Sequence, residues 1–304
     1  MVKKVLVLKG GLSAEREVSL VSAEGVEQAL RKLGYEVVAH DWKTPDALLK
    51  VIKEFKPDVV FNALHGNWGE DGEIQGFLDV LQIPYTHSGL RASLLGMDKS
   101  LTKIIAEQNG VPVAQGEKMT FAQFKAKGTK LDFPYVMKPA ADGSSVGVFI
   151  IHNQADLAQV NYDDEREILI EKYIAGQELT VAVLDGKALA VTELCAANEF
   201  YDYQAKYTAG MTVHKLPADI PPEVAQQAMR YAEVIHQALG CRAVSRSDFR
   251  YNPQDGVVFL EVNTNPGLTP LSLVPEQARF CGIGYEGLCE KLLASASFRC
   301  IMGN

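Results

Sequence analysis

The sequence has no long hydrophobic run, no paired cysteine motif and no excess of positive charge. Its apolar strings are short, such as Val5-Leu6-Val7-Leu8, far below the ~20 residues of a membrane-spanning helix. Lys3 and Lys4 precede that string as they would in a signal peptide, but Lys9 and Gly10 end it before an apolar core can form. The five cysteines are odd in number and include no C-x-x-C pair, which argues for reduced thiols rather than a disulfide framework or a zinc site. Lys and Arg total 30 against 38 Asp and Glu, a formal charge of −8. The broad basic footprint of a nucleic-acid binder is therefore missing, and any phosphate ligand must be held by a few local cations. G-x-x-x-x-G-K-[ST] does not occur, and the Gly10-Gly11 loop after the first strand lacks the G-x-G-x-x-G of a dinucleotide loop. These absences lead us to expect a cytoplasmic protein without nucleic-acid or membrane partners.

What is present is ordinary globular material, 47% hydrophobic and 22% charged over 304 residues. A chain of this length buries about three quarters of its unfolded surface. Val2–Leu8, Tyr35–His40 and Val59–Leu64 read as strands. Between them lies a helix from Ala14 to Leu33, with Val18, Val21, Gly25, Ala29 and Leu33 on one stripe and Gly34 at its left-handed end. A second helix begins at Thr44-Pro45, an N-cap followed by proline at N1. This alternation predicts an α/β lobe with a small parallel sheet. Asp98 caps a further helix that stops at Gly110, and a later one opens at Pro221-Pro222 and closes at Gly240. We expect three lobes divided near residues 95 and 180: 1–95, 96–180 and 181–304.

Four segments carry chemistry. In Ala243–Gly267 two strand-like runs flank the turn Asn252-Pro253-Gln254-Asp255-Gly256. Period two sets Arg246 with Asp248, sets Glu261 with Asn263, and turns Val258, Leu260 and Val262 to an apolar face. Such oxygen ligands suit Mg²⁺ with substrate phosphates; ordinary ion pairing on a solvated hairpin is the other reading. Lys138 precedes the Gly/Ser-rich loop Ala140–Gly147, whose N–H groups could wrap phosphate oxygens. That loop contains G-x-S-x-G around Ser145, but the strand-like Val148-Phe149-Ile150-Ile151 follows where a nucleophile elbow needs a helix. Glu15 follows Gly10-Gly11 at a helix start, where it could hold an ammonium group or simply favour the helix dipole. The aromatic stretch Phe200–Tyr207 reads as a lid or as a half-exposed surface segment. His65 begins a polar, glycine-rich loop at the carboxyl end of a parallel strand, where α/β sheets bind ligands, although a lone histidine there is more often structural than catalytic.

The ordered series G-G-x-S-x-E-R-x-V-S, H-G-x-x-G-E-D-G, M-D-K, K-P-x-x-x-G-S-S-V-G, E-K-Y-I-x-G-x-E, Y-D-Y-x-A-K-Y, R-x-D and E-V-N-T-x-P-G-x-T resembles the D-alanine–D-alanine ligases, members of the ATP-grasp enzymes. It spans residues 10 to about 275. The resemblance implies an ATP-grasp fold with an N-terminal Rossmann-like lobe. It also implies ATP-dependent joining of two D-alanine molecules through a D-alanyl phosphate for peptidoglycan synthesis, and a homodimer.

By motif, the resemblance makes Asp248, Glu261 and Asn263 ligands of two Mg²⁺ ions, with Mn²⁺ as substitute and a monovalent cation as a further activator. Lys99, Lys138, Lys206 and Ser145 would meet ATP phosphates. Glu171, Lys172 and Ile174 would line the adenine, and Glu178 the ribose. Glu15 would accept the first D-alanine's ammonium, oriented through Ser144 and Tyr207, with His65 nearby. Arg246 and the Gly267 N–H would stabilise the oxyanion, and Ser272 and Leu273 would hold the second carboxylate. A tyrosine at 207 matches the dipeptide-forming type. The chain departs from the common pattern at Ala140-Ala141-Asp142 and at Ser247, neither a ligand position. Another ATP-grasp carboxylate–amine ligase, a non-catalytic nucleotide-binding module and a serine hydrolase at Ser145 are the alternatives.

Overall fold

The computed structural model describes residues 3–141, 147–196 and 212–299. Strand β1 (Lys4–Gly10) is apolar through its middle because it is the central strand of the first sheet. Strands β2 (Glu36–Trp42) and β3 (Val59–Asn62) pair with it in parallel on either side. Parallel neighbours need crossover connections, which helices α1 (Arg16–Lys32) and α2 (Pro45–Phe55) supply. The Thr44 hydroxyl accepts from the Ala47 N–H at 3.3 Å, so the cap and the proline at N1 act as the sequence indicates. Helices α3 (Glu73–Val80) and α4 (Leu90–Met97) complete this part.

The buried stripe of α1 differs from the one expected. Val21 and Leu33 face solvent, and the core face is Val18, Ser19, Ser22, Ala23, Val26, Ala29 and Leu30. Apolar periodicity misplaced the stripe because two of its members are serines with good partners. Ser19 Oγ accepts from the Gly10 N–H at 2.8 Å and donates to the Ala63 carbonyl at 2.6 Å, so its burial carries no desolvation penalty.

Helix α5 (Lys99–Gln108) starts at Asp98, whose carboxylate accepts from the Ser100 N–H at 2.9 Å. It leads into an antiparallel sheet ordered β4-β7-β5-β6: β4 (Gly116–Thr120), β5 (Tyr135–Pro139), β6 (Phe149–Ile151) and β7 (Glu167–Lys172), with the short helices α6 (Phe121–Lys127) and α7 (Gln154–Leu157). A five-stranded antiparallel sheet follows, ordered β10-β9-β8-β11-β12. Its strands are β8 (Gln177–Leu184), β9 (Lys187–Ala196), β10 (Thr212–Lys215), β11 (Val244–Asn252) and β12 (Gly256–Asn263), and α8 (Pro222–Leu239) packs on it. The last helices, α9 (Leu273–Phe280) and α10 (Tyr285–Ala294), share one apolar core with α1, β1 and the Val244 end of β11. The first sheet and the five-stranded sheet are thereby cemented together.

A β-bulge corrects the expected face of β12. Asp248 pairs with Glu261, but Phe249 pairs with Phe259, leaving Leu260 as an extra residue. Parity therefore inverts at that point. Val262, Phe259 and Val257 join the core under α8, whereas Val258 turns to the other side and packs with Ala114 and Ile174. Val258, Leu260 and Val262 do not share a face.

Candidate active site

The hairpin β11–β12 sets Arg246 opposite Asn263 and Asp248 opposite Glu261. Arg246 grips Asp248 two-pronged, Nε to Oδ1 at 3.0 Å and Nη2 to Oδ2 at 2.8 Å. Thr180 on β8 donates a further hydrogen bond to Asp248 Oδ1 at 2.6 Å. Lys99 Nζ stands 3.3 Å from Glu261. Asn263 Oδ1 accepts from the Asn265 N–H at 2.8 Å. Two carboxylates and an amide oxygen on adjacent strands are hard oxygen donors of the kind that hold Mg²⁺ together with substrate phosphates, and the set fits that ion.

Beside this edge lies a buried ionic cluster. Glu171, at the end of β7, is 2.6 Å from Lys103 Nζ through Oε1 and 2.7 Å from Lys138 Nζ through Oε2. Burial pushes the Glu171 carboxyl up, but the two ammonium groups outweigh it and hold the group below the usual range. Burial pulls Lys103 down to about 8 against the attraction of Glu171. Burial also works against Lys138, yet Glu171 and Glu261 together keep it above the ordinary lysine value. The Lys99 N–H donates to the Ala140 carbonyl at 3.0 Å, which fastens α5 to the exit of β5.

The expected nucleotide segment runs on from Glu171. The Lys172 side chain is exposed and pairs with Asp255 at 2.9 Å, while Ile174 is buried against Val258. Glu178 is held by Arg250 at 3.1 Å, and Arg250 Nε also donates to the Ile174 carbonyl at 3.0 Å. Gly176, at φ +107°, is required between them, because a Cβ there would stand 2.1 Å from the Tyr251 carbonyl oxygen.

On the first lobe, Glu15 occupies the N-cap position of α1 without capping it. Its carboxylate turns inward against Gly66, where a Cβ would lie 2.9 Å from Oε2 in a left-handed backbone. His65 is buried, its Nε2 3.3 Å from Ser22 Oγ, and its ring is also hydrogen-bonded to the Asn265 backbone. Burial, with Arg246 adding repulsion, lowers the imidazole to about 4, so at neutral pH His65 is an uncharged hydrogen-bonding group. Glu70 accepts from the Gly66 N–H at 3.1 Å. Burial first, and the Glu15 charge second, push its carboxyl up to about 8. At pH 7 the Glu70 carboxyl is thus mostly protonated.

The loop after β12 closes the floor. The Leu268 N–H donates to Ser22 Oγ at 3.2 Å, and Asn265 Nδ2 donates to the Leu64 carbonyl at 2.7 Å. Gly267 lies over Ser272, whose Oγ a Cβ would approach to 3.0 Å. Ser272 Oγ accepts from the Thr269 N–H at 3.0 Å, and Leu273 starts α9, buried.

Ser144, Ser145, Lys206 and Tyr207 lie outside the described residues. After Gly147 the chain enters strand β6, not a helix, so the strand–turn–helix that a nucleophile elbow needs does not form there. Sequence reasoning missed Glu70, Ser22, Asn265, Lys103 and Arg250. Glu70 lay inside the motif that begins at His65. Lys103 stands four residues after Lys99 and therefore on the same helix face. Ser22 gave no signal of its own. Among the described residues no helix is long and apolar enough to cross a membrane.

A parallel α/β lobe, followed by two antiparallel sheets that present buried lysines and a carboxylate–amide hairpin, defines an ATP-grasp enzyme. Family models described as "D-ala D-ala ligase N-terminus" and "D-ala D-ala ligase C-terminus" match residues 46–88 and 105–294. The D-alanine–D-alanine ligase of Zymomonas mobilis is 51% identical over 97% of this chain and 94% of its own. The crystal structure of the Bacillus anthracis D-alanine–D-alanine ligase complexed with ATP superposes with a TM-score of 0.81 at 31% identity, covering 97% of each chain. The VanG D-Ala:D-Ser ligase of Enterococcus faecalis gives 0.81 at 27%, covering 97% and 99%. The chain belongs to the D-alanine–D-alanine ligase family.

Proposed function

We propose the following assignment of residues to the reaction of this family. The protein is an ATP-dependent ligase that joins two D-alanine molecules by a carbon–nitrogen bond, the dipeptide serving peptidoglycan synthesis. In our reading one D-alanine carboxylate attacks the γ-phosphorus of ATP, ADP leaves, and the amine of the second D-alanine displaces phosphate from the acyl phosphate. The observation that carries the residue assignment is the cross-strand pairing of Arg246 with Asn263 and of Asp248 with Glu261. It concentrates in one place the Arg246 cation and the oxygen ligands that would hold Mg²⁺.

Carboxylate and triphosphate repel each other, so the site's task is neutralisation and alignment. Asp248, Glu261 and Asn263 would hold Mg²⁺, which when bound spreads the phosphate charge; Mn²⁺ and an activating monovalent cation belong to the same proposal. Lys99 and Lys138 meet phosphates from the buried side, and Ser145 and Lys206 join them by motif. Glu171, Lys172, Ile174 and Glu178 receive the nucleoside. Glu15 accepts the first ammonium, oriented through Ser144 and Tyr207. Glu70 is mostly protonated and His65 neutral at pH 7, so neither adds charge to that exchange. Arg246 and the Gly267 N–H face the developing oxyanion, and Ser272 and Leu273 grip the second carboxylate. We read 1–95, 96–180 and 181–304 as the working lobes, the enzyme as a cytoplasmic homodimer, and its partners as small molecules only.

The test is ADP release from the purified protein with ATP and Mg²⁺, comparing D-alanine with L-alanine and identifying the product by mass. D-Alanine-dependent ADP matched by D-alanyl-D-alanine is expected. Adding D-lactate or D-serine as second acceptor then reads the Tyr207 assignment. Nucleotide binding without dipeptide under any substrate ratio would overturn the substrate residues.

A further inference from the structure

The Glu171 cluster contains a cation, Lys103, to which the proposed phosphate site gives no role. Lys138, at the end of β5, and Lys103, on α5, each hold a different oxygen of the same buried carboxylate, at 2.7 and 2.6 Å. All three groups are almost wholly enclosed. Lys103 is further tied to the Phe259 carbonyl on β12 at 3.3 Å, whereas among the described residues Lys138 Nζ stands within ion-pair distance of Glu171 alone. One lysine is therefore anchored from two elements and the other from one.

A lysine that must move to a phosphate cannot leave a buried carboxylate behind unpaired. Breaking a buried pair by removing one partner costs several kcal/mol, comparable to what a single phosphate contact can return. We propose that Lys103 is the stationary counter-ion of Glu171: it keeps that carboxylate neutralised while Lys138 exchanges Glu171 for the polyphosphate of a bound nucleoside triphosphate. The proposal rests on the reading that Lys138 meets ATP phosphates. Lys103 touches no phosphate in this scheme and is a positioning residue. Glu171 then has a second task besides lining the nucleoside, because it parks Lys138 when the site is empty. Lys99, one helical turn away, stands 3.3 Å from Glu261 rather than against Glu171, and does not substitute for Lys103.

The discriminating quantity is the ratio of adenosine to AMP-PNP dissociation constants, measured on the full chain in one magnesium buffer. Adenosine leaves Lys138 on Glu171, so only the triphosphate draws on the exchange. Lys103→Met should lower the ratio about 100-fold, the scale of one stranded buried charge, with adenosine binding changed less than about threefold. Lys103→Gln, which keeps a donor but no charge, should behave alike and serves if the methionine variant folds poorly. Lys103→Arg should retain the ratio. The decisive arm is Lys103→Met combined with Glu171→Gln: with no carboxylate to strand, the ratio should return to within about fivefold of Glu171→Gln alone. A ratio unchanged in Lys103→Met, or a double variant no better than Lys103→Met, overturns the counter-ion role. Lys138→Met separates this from the underlying reading. A lowered ratio there with no effect of Lys103→Met sinks the counter-ion proposal alone, and an unchanged ratio there removes the phosphate assignment of Lys138 and the proposal with it.

Discussion

Along the β11–β12 hairpin and the end of β7, basic and acidic side chains stand in contact, enclosed at Lys103, Lys138 and Glu171 and half-buried at Arg246 and Glu261: Arg246 with Asp248, Lys99 with Glu261, and Lys103 and Lys138 with Glu171. Beneath α1 burial falls mostly on uncharged groups. His65 is lowered to about 4, Glu70 is raised to about 8, and Ser22 and Asn265 supply neutral hydrogen bonds. The contrast follows from what each region is proposed to receive. A triphosphate needs cations that are present beforehand and held apart by exchangeable carboxylates. An amino acid's ammonium needs one carboxylate, and a second ionised one beside it would repel the reacting anions.

The comparison breaks most visibly at Arg246. Arg246→Met removes the oxyanion donor and leaves Asp248 without its two-pronged partner, so dipeptide formation should fall about 10³-fold. Arg246→Lys restores charge without the planar fork and should recover only part of that loss. Turnover near that of the unchanged protein in either variant would mean that the paired region is structural, and that the chemistry sits elsewhere.

The uncharged region predicts an acid limb of stability. His87 is fully enclosed behind Thr86, whose hydroxyl meets Nδ1 at 2.9 Å, and burial lowers the ring to about 3. A histidine so lowered contributes stability that is complete above its ordinary value of 6.5 and is lost as pH falls through that value towards 3. The loss should be about 2–3 kcal/mol between pH 6.5 and 4.5. His87 also has a left-handed backbone, φ +67°, which asparagine tolerates. In His87→Asn the pH dependence of denaturant midpoints should be shallower by that amount, whatever the offset at pH 7. Identical slopes for the two proteins would show the ring to be as accessible to protons as a surface histidine.

How much of this was visible in the sequence divides along the same line. Charged residues announce themselves, and simple alternation puts Arg246 with Asp248 and Glu261 with Asn263. Alternation says nothing of the bulge at Leu260, because one extra residue leaves composition unchanged while reversing every face before it. The uncharged floor was harder still. Ser19 and Ser22 look like a polar face of α1, and only their partners on other elements, Ala63 and Leu268, make them core residues. Those partners lie 44 and 246 positions away, beyond the reach of local patterning. Lys103 was overlooked because its value depends on a carboxylate from strand β7, 68 positions further along the chain.

Ser22 therefore offers the next test. Its hydroxyl serves both His65 Nε2 and the Leu268 N–H. Ser22→Ala should cost about 1–3 kcal/mol, the scale of stranding a buried donor, with a matching shift of the thermal midpoint. Ser22→Thr keeps the hydroxyl but adds a methyl group to an enclosed site, so it should lie between. If Ser22→Ala were neutral, the neutral hydrogen bonds would not be what holds the Gly267 loop against α1.

The smallest effect is expected one residue from the largest buried charge. Lys172 follows Glu171 on β7, so alternation sends the two side chains to opposite faces. Glu171 has 3% of its side chain exposed and Lys172 has 53%. Lys172 pairs with Asp255 in the β11–β12 turn at 2.9 Å, a distance that resembles the buried pairs, but water screens it. Exposed pairs contribute about 0–1 kcal/mol and fade as salt rises. Lys172→Met should therefore shift stability by less than about 1 kcal/mol, less still at 1 M salt, and leave nucleotide affinity within about threefold. Any service of Lys172 to the nucleotide then comes from its backbone, which the substitution keeps. A drop in affinity comparable to that of Lys103→Met would show that the Lys172 side chain leaves Asp255 to meet the nucleotide, and that burial is not what separates the working charges of this site from the ornamental ones.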